Sequence, residues 1–159
     1  MMNIEDVKTK LANKYPSLAE TINVQSERRI WVDVASKDFR QVLEYLISQD
    51  FTILITITGL DEGANIALIY HLASEDNTIV LNLRTRIVKD KEPIKSVIDL
   101  FRGSELYERE IVDLLGVDVQ GLPPGMRYPL PDDWPAGSHP LRKDWKAPAR
   151  GPVKEKNNA

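Results

Sequence analysis

The amino-acid sequence predicts an α+β fold, with a mixed, mostly antiparallel sheet of about five strands, helices on one face of it, and an extended proline-rich C-terminal tail. Segments with apolar residues at helical spacing alternate with short runs of β-branched and aromatic residues. Eight of the ten prolines lie after Gly121, where this density excludes a helix or a central strand. We therefore expect an α+β domain at residues 1–120 and a docking tail at residues 121–159.

The first half of the chain carries signals for two amphipathic helices and two short strands. The predicted elements are a helix over residues 4–14, strands over residues 20–25 and 29–34, and a helix over residues 37–49. Pro16 is expected to end the first helix, and Ser36 to cap the start of the second. The single apolar stripe of the second helix is typical of a helix that packs on a sheet.

The middle of the chain predicts an antiparallel meander of three strands. They are expected over residues 51–59, 64–72 and 77–88, with turns from Gly59 to Asn65 and at Asp76–Asn77. In the first of these strands, alternation places Phe51, Ile53, Ile55 and Ile57 on one face, with Leu54 as the exception.

Two further helices are predicted after the meander. Pro93 is expected to open a short helix over residues 94–101, since proline is tolerated in the first turn. Ser104 is expected to cap a second helix over residues 105–115, and Gly116 to end it.

The composition excludes several classes of function. The 159 residues carry a net charge of −3, which argues against a general nucleic-acid-binding protein. The absence of cysteine excludes disulfides, thiolate-bound zinc and cysteine-ligated iron–sulfur clusters. We expect His71 to lie on a sheet face and His139 at a surface or interface. With no apolar run near the roughly 20 residues of a membrane helix and no signal-peptide core, we expect a soluble, cytoplasmic protein without a direct membrane span.

Charge is distributed unevenly along the chain. From His139 onward, six basic and two acidic residues give +4, which leaves −7 for the rest. A basic tail on an acidic body suggests docking on an acidic protein surface or on anionic lipid headgroups. For the last eight residues the other interpretation is a solubilising, disordered end. Large apolar side chains alternate with the prolines between Met126 and Trp145, so this stiff segment is suited to lie along another surface.

The densest charged cluster of the sequence reads YEREIVDLLG. On a helix, Arg109 is placed to pair with Glu105 and Asp113, and spacing alone predicts a salt-bridged, solvent-exposed face. Glu108 and Glu110 are candidates for proton transfer, but they point to different sides of a helix, which argues against a paired-carboxylate mechanism. The sequence contains no phosphate-binding loop, metal-ligand spacing or nucleophile–base arrangement.

Two motifs in this region carry a family resemblance. The first is Glu108-Arg109-Glu110 with Asp113 and Gly116, and the second is Pro140-Leu141-Arg142-Lys143-Asp144-Trp145. In this order they resemble the complex I thirty-kilodalton subunit family. Members of that family usually carry His-Pro after the glycine, whereas this chain has GLPPGMRYPL, in which Arg127 keeps the basic residue of the loop. The phrase YPLPDDWP is similar to the small subunits of membrane-bound, energy-converting NiFe hydrogenases and their sulfur-reducing relatives.

The resemblance implies a non-catalytic, hydrophilic subunit that has no cofactor of its own. Such a subunit docks on a large subunit that holds the NiFe centre or its quinone-site counterpart. An iron–sulfur small subunit and a membrane arm complete the complex, at the cytoplasmic side of the cell membrane, where electron transfer is coupled to ion translocation. Iron–sulfur clusters and a NiFe centre would then belong to partner subunits. The expected docking residues are Glu108, Arg109, Glu110, Asp113, Arg127, Trp134, Leu141, Arg142, Lys143, Asp144 and Trp145.

Three other interpretations stay open from the sequence alone. The first is the thirty-kilodalton subunit of a NADH:quinone oxidoreductase (complex I) itself. The second is a free-standing adaptor that binds a peptide or a small ligand. The third is an enzyme that uses carboxylates such as Glu108, Glu110 and Asp113.

Overall fold

Three α-helices and a five-stranded mixed sheet make up most of the described chain, and the predicted α+β fold class is confirmed. The computed structural model describes residues 3–76 and 78–147. The helices are α1 (Ile4–Lys14), α2 (Ser36–Ser48) and α3 (Ser104–Leu115), with a 3₁₀ turn at Pro16–Leu18. The strands are β1 (Ile22–Ser26), β2 (Arg29–Ala35), β3 (Ile53–Asp61), β4 (Asn65–Ala73), β5 (Val80–Val88), β6 (Ile94–Lys95) and β7 (Val119–Gln120).

The main sheet has the strand order β1-β2-β5-β4-β3. Strands β3, β4 and β5 form the predicted antiparallel meander, and β1 and β2 form a second antiparallel pair. The two units join through the parallel pairing of β2 with β5. Strands β1 and β3 therefore lie at the two edges of the sheet.

All three helices pack on one face of this sheet. The ring of Phe39 in α2 lies 4.5 Å from the ring of Tyr70 in β4, within a core that also buries Leu11 of α1. Helix α3 packs closely against β3 because Gly59 has no side chain, and a Cβ at this position would overlap Leu115. The expectation of helices on one face is confirmed, because the core under the helices takes every second residue of β2, β4 and β5.

The predicted alternation in β3 is wrong at its first residues. The pairing of β3 with β4 shifts register between Leu54 and Thr56, which marks a β-bulge. The extra residue reverses the faces, so that Leu54 packs against the core while Ile53 and Ile55 are 38% and 44% exposed. Beyond the bulge, Ile57 is buried as expected. A bulge depends on the partner strand, so alternation within one segment does not reveal it.

The predicted helix at residues 94–101 is also wrong. This segment begins with β6, which pairs in parallel with β7 through Ile94 and Val119. It then turns back where Leu100 N and Phe101 N both donate to the carbonyl oxygen of Val97. The extended form is stabilised by hydrogen bonds to β7, a strand that comes after α3 in the sequence. The spacing of apolar residues within the segment carries no information about this pairing.

The ends of α2 and α3 give one confirmed prediction and two corrections. Gly116 ends α3 in the left-handed conformation, at φ 69°, as predicted. Ser36 and Ser104 are the first residues of their helices rather than N-caps, and no side-chain cap is formed there. The hydroxyl of Ser36 donates instead to Glu92, and Ser104 is buried. The predicted turn residue Asn77 lies outside the described residues.

The described part of the tail, residues 121–147, contains neither helix nor strand. Backbone hydrogen bonds close a series of turns, for example from Trp134 N to Pro131 O and from Arg142 N to His139 O. The segment therefore folds back on itself and on the domain, instead of extending away from it. Within the described residues, no helix is long and apolar enough to cross a membrane.

Candidate docking surface

The predicted docking residues lie on α3 and on the part of the tail that packs against it. We call residues 104–147 the α3–tail unit. Its geometry is set by α3, which lies beside β3 at one edge of the sheet, and by the tail, which returns to the C-terminal end of this helix.

Glu108 points into the domain. It is 1% exposed, and its carboxylate accepts hydrogen bonds from Ser96 Oγ at 2.6 Å and from Val97 N at 2.7 Å. Burial raises the pKa of Glu108, and these two hydrogen bonds oppose the rise. Glu108 therefore anchors the segment after β6 to α3. The helix turns this position toward the core, so the side chain of Glu108 is buried within the chain itself.

Arg109 holds the first turn of the tail. It forms the predicted ion pair with Glu105, with 2.8 Å between Nη2 and Oε1, and it also donates to the carbonyl oxygen of Pro123 at 2.8 Å. The predicted pair of Arg109 with Asp113 does not form. Arg127 of the tail lies beside Asp113 instead, and only the tertiary structure brings these two side chains together.

Asp113 is the buried acceptor that fixes the middle of the tail. It is 6% exposed and accepts from Arg127 Nε at 2.5 Å and from Leu130 N at 2.8 Å. Arg127 also donates to the carbonyl oxygen of Trp134 at 2.7 Å. Because a carboxylate this deep requires charged or main-chain donors, the loop must keep this path over α3.

Arg142 caps the C-terminal end of α3. Its guanidinium donates to the carbonyl oxygens of Leu115 at 2.6 Å and Gly116 at 3.3 Å. It also forms an ion pair with Asp90 at 2.7 Å, and this hydrogen bond lowers the pKa of Asp90. The last carbonyls of a helix lack partners within the helix and carry partial negative charge, so a guanidinium satisfies and neutralises them.

Gly116 makes this arrangement possible in two ways. Its φ of 69° favours glycine, and a Cβ there would lie 2.5 Å from the ring of His139 and 2.6 Å from Nη2 of Arg142. His139 itself donates through Nδ1 to the carbonyl oxygen of Asp113 at 2.8 Å. The two motifs that carry the family resemblance thus meet in space at the end of α3.

Lys143 contacts the end of β3, and its neighbour Asp144 contacts Lys89, which directly follows β5. The main-chain N–H of Lys143 donates to Asp61 at 2.9 Å, and Lys89 pairs with Asp61 at 3.0 Å and with Asp144 at 3.3 Å. Burial would raise the pKa of Asp61, but hydrogen bonds from Lys143, Gly63 and Lys89 together lower it to about 2. Asp61 therefore stays ionised and holds the tail, while the Lys143 side chain remains exposed.

The two tail tryptophans contact each other. The rings of Trp134 and Trp145 stack with centroids 6.2 Å apart and an interplanar angle of 23°. Both indole N–H groups donate to Ser138, one to its carbonyl oxygen and the other to its hydroxyl. Each ring is partly buried in this way, and the pair closes the tail loop.

Several residues of this surface have no local signal in the sequence. Asp61, Lys89, Asp90 and Ser96 lie far along the chain from the motifs, and they meet the α3–tail unit only in the folded protein. Among the predicted docking residues, Glu110 and Leu141 line a groove of about 230 Å³ between β3 and α3.

The ring of His71 contacts the two strands that flank β4. His71 lies in the sheet, with ring nitrogens 3.0 Å from Thr58 Oγ1 and 2.7 Å from Asn82 Oδ1. Within residues 3–76 and 78–147, no group of three or more His, Cys, Asp or Glu side chains could hold a metal ion.

Comparison with known proteins identifies the class to which this fold and surface belong. The family described as the respiratory-chain NADH dehydrogenase, 30 Kd subunit, matches residues 32–151, and the chain belongs to this family. The C subunit of the F(420)H(2) dehydrogenase of Methanosarcina mazei is 32% identical, over 91% of this chain and 93% of that protein. The membrane-bound hydrogenase subunit beta of Pyrococcus furiosus is 26% identical, over 92% and 88%. The solved structure of the membrane-bound sulfane sulfur reductase, an archaeal respiratory membrane complex, contains a similar chain with a TM-score of 0.79 and 28% identity, over 89% of this chain and 85% of that one.

Proposed function

We propose that this chain is a non-catalytic, hydrophilic subunit of a membrane-bound respiratory redox complex, and that it docks on a large subunit of the NiFe-hydrogenase type. Its family membership and the names of its relatives support the type of complex. The observation that carries the docking role is the α3–tail unit, in which ion pairs and main-chain hydrogen bonds hold a proline-rich segment in one conformation. A segment ordered before binding loses less conformational entropy when a partner binds.

Within this proposal the docking residues have two different roles. Glu108, Asp113 and Arg142 are engaged inside the unit and fix its shape. The exposed members, such as Leu141 at 56% exposure and Lys143, would contact the partner. An exposed apolar side chain next to exposed charges is a common arrangement at protein interfaces.

The redox groups are proposed to lie in the partners. Iron–sulfur clusters need thiolate ligands, and this chain has no cysteine. The subunit would then hold the large subunit, the iron–sulfur small subunit and the membrane arm together at the cytoplasmic side of the membrane, and support electron transfer coupled to ion translocation. The description of the family favours one second candidate, the thirty-kilodalton subunit of a NADH:quinone oxidoreductase.

The two buried carboxylates argue against a free-standing carboxylate enzyme. Glu108 and Asp113 both accept hydrogen bonds from groups of the same chain, and Glu110 lines the groove beside β3. A pair of acid and base groups that converge on a substrate is therefore not formed by these three residues.

Affinity purification of the tagged full chain from its native host, followed by identification of the co-purifying chains, tests the proposal. Recovery of a NiFe-hydrogenase-type large subunit supports it, and recovery of a quinone-site subunit with NADH-oxidising partners supports the second candidate. A monomer without either partner would contradict both. Lys143→Glu should reduce recovery of the large subunit, whereas Lys37→Glu, a charge reversal on α2, should not.

A further inference from the structure

The outer edge of β3 carries no charge before its last residue, Asp61. From Phe51 to Leu60 the chain contains no charged residue and no proline. Apart from the pairing with β4, no hydrogen bond reaches the main chain of residues 52–60 within the described residues. Natural proteins usually protect such edges with charges, proline or short strands, because an open edge pairs with other chains. Bulges and inward-pointing charges serve the same purpose, and β3 has a bulge before Thr56 and the buried charge of Asp61 at its end. Between these two points, residues 56–60 carry neither device, so this part of the edge is open to pairing with another strand.

A groove runs beside this edge on the helix side. Its walls are formed by Ile57 and Gly59 of β3, Ile111 and Leu114 of α3, and Leu141 of the tail. Because successive side chains of a strand point to opposite faces, an added strand would place every second side chain in this groove. The remaining side chains would lie against the other face of the sheet.

That other face is mixed next to the edge, where Thr56 and Thr58 lie in the same row as Leu60. Leu60 is 52% exposed, and the bulged residue Ile55 is 44% exposed. An added strand would therefore cover the apolar groove on one side and exposed apolar side chains together with threonines on the other. This favours an occupant that is mostly apolar on the groove side and argues against a peptide with many charges.

Glu110 favours a basic residue on the strand that would occupy the groove. It is the only charged residue that lines the groove, and no hydrogen bond or ion pair reaches its carboxylate within the described residues. A lysine or arginine on the incoming strand would neutralise this carboxylate where binding removes it from water. A second copy of this chain could not supply it from β3, because residues 51–60 contain no basic residue.

We propose that the edge of β3 binds an extended strand of the large subunit, with apolar side chains in the groove and a basic side chain beside Glu110. Main-chain hydrogen bonds would extend the sheet from five strands to six across the subunit boundary. This inference rests on the proposed function, since the strand belongs to the subunit on which the chain docks.

Hydrogen–deuterium exchange on the full chain, alone and in its purified native complex, tests this pairing. Amides of residues 53–60 should exchange at least about tenfold more slowly in the complex, while those of β1, at the opposite edge, should be unchanged. Equal exchange of residues 53–60 in both states would overturn the inference and leave the proposed function intact. If the chain enters no complex at all, the proposed function fails and the inference fails with it.

A matched pair of variants gives a second test within the complex. Ile55→Lys places a charge at the edge of β3, and Val88→Lys places the same charge at a residue of β5 that is 43% exposed and lies outside the groove. Both variants should fold, as judged by circular dichroism, and only Ile55→Lys should lower recovery of the large subunit. Glu110→Lys should lower it further, by repulsion of the basic residue. Equal recovery for all three variants, or dimers of this chain that protect β3, would overturn the inference.

Discussion

The sheet with its helices and the α3–tail unit are held together by different forces. The sheet domain is stabilised by apolar side chains from every main strand and from all three helices. The tail contributes few large buried side chains, and it is held by Asp113, Arg142 and Asp61 through ion pairs and main-chain hydrogen bonds. The difference suggests that the domain determines whether the chain folds, while the polar contacts determine where the tail lies.

The largest expected effect comes from the apolar core. Leu83→Ala in β5 removes a side chain that is 0% exposed and should lower the free energy of unfolding by about 3 kcal/mol. Chemical denaturation measured by circular dichroism would show this as a lower midpoint for the whole domain. An effect below about 1 kcal/mol would mean that the core near β5 repacks. The contrast between an apolar domain and a tail held by polar contacts would then be weaker.

A smaller and more local effect is expected at Asp113. Asp113→Ala leaves Arg127 and Leu130 N without their acceptor and should cost about 2 kcal/mol, with faster hydrogen exchange confined to the tail. Glu105→Ala, at a more exposed carboxylate on the same helix, is the control and should change stability by less than about 1 kcal/mol. If Asp113→Ala unfolds the entire domain, the tail is part of the core and the distinction between the two regions is wrong.

Arg142 and Lys143 are adjacent basic residues that should respond differently. Arg142→Ala removes the cap on α3 and should lower the free energy of unfolding by about 1 kcal/mol. The side chain of Lys143 is exposed and contributes through its main chain, so Lys143→Ala should leave stability unchanged. Thermal denaturation of the two variants measures this difference in stability. Equal losses of stability would contradict the role of Arg142 as the cap of α3.

The smallest effect is a change in pH dependence at Glu108. Burial raises its pKa above the ordinary value of 4.5, so its contribution to stability is fully present below pH 4.5 and is lost as pH rises through the raised pKa. Glu108→Gln has a similar shape and cannot ionise, so this slope should disappear. Unfolding free energies of the two proteins, compared from about pH 4 to about pH 8, measure it. Parallel curves would show that Glu108 ionises in the folded chain as readily as in water.

Much of the fold was predictable because its signals are local. The stripes of apolar residues in α1, α2 and α3 depend on neighbours three and four positions away, and Gly116 ends α3 through its own backbone conformation. The bulge at Ile55 and the strand at residues 94–95 were not predictable, since each is set by pairing with a distant strand. A single segment carries no information about the register of its partner.

The docking surface also has some features that the sequence predicts and others that only the folded structure shows. The motifs around Glu108 and Leu141 identified the family, and the complete absence of cysteine excluded a thiolate-ligated redox centre in this chain. The sequence by itself therefore determined the family, the α+β class and the region of interest. Only the tertiary structure decided that Glu108 and Asp113 face inward, that Arg127 replaces Arg109 as the partner of Asp113, and that β3 has an open edge. The physical reason is that periodicity and composition act between near neighbours, whereas burial, ion pairing and strand order depend on residues that meet only when the chain folds.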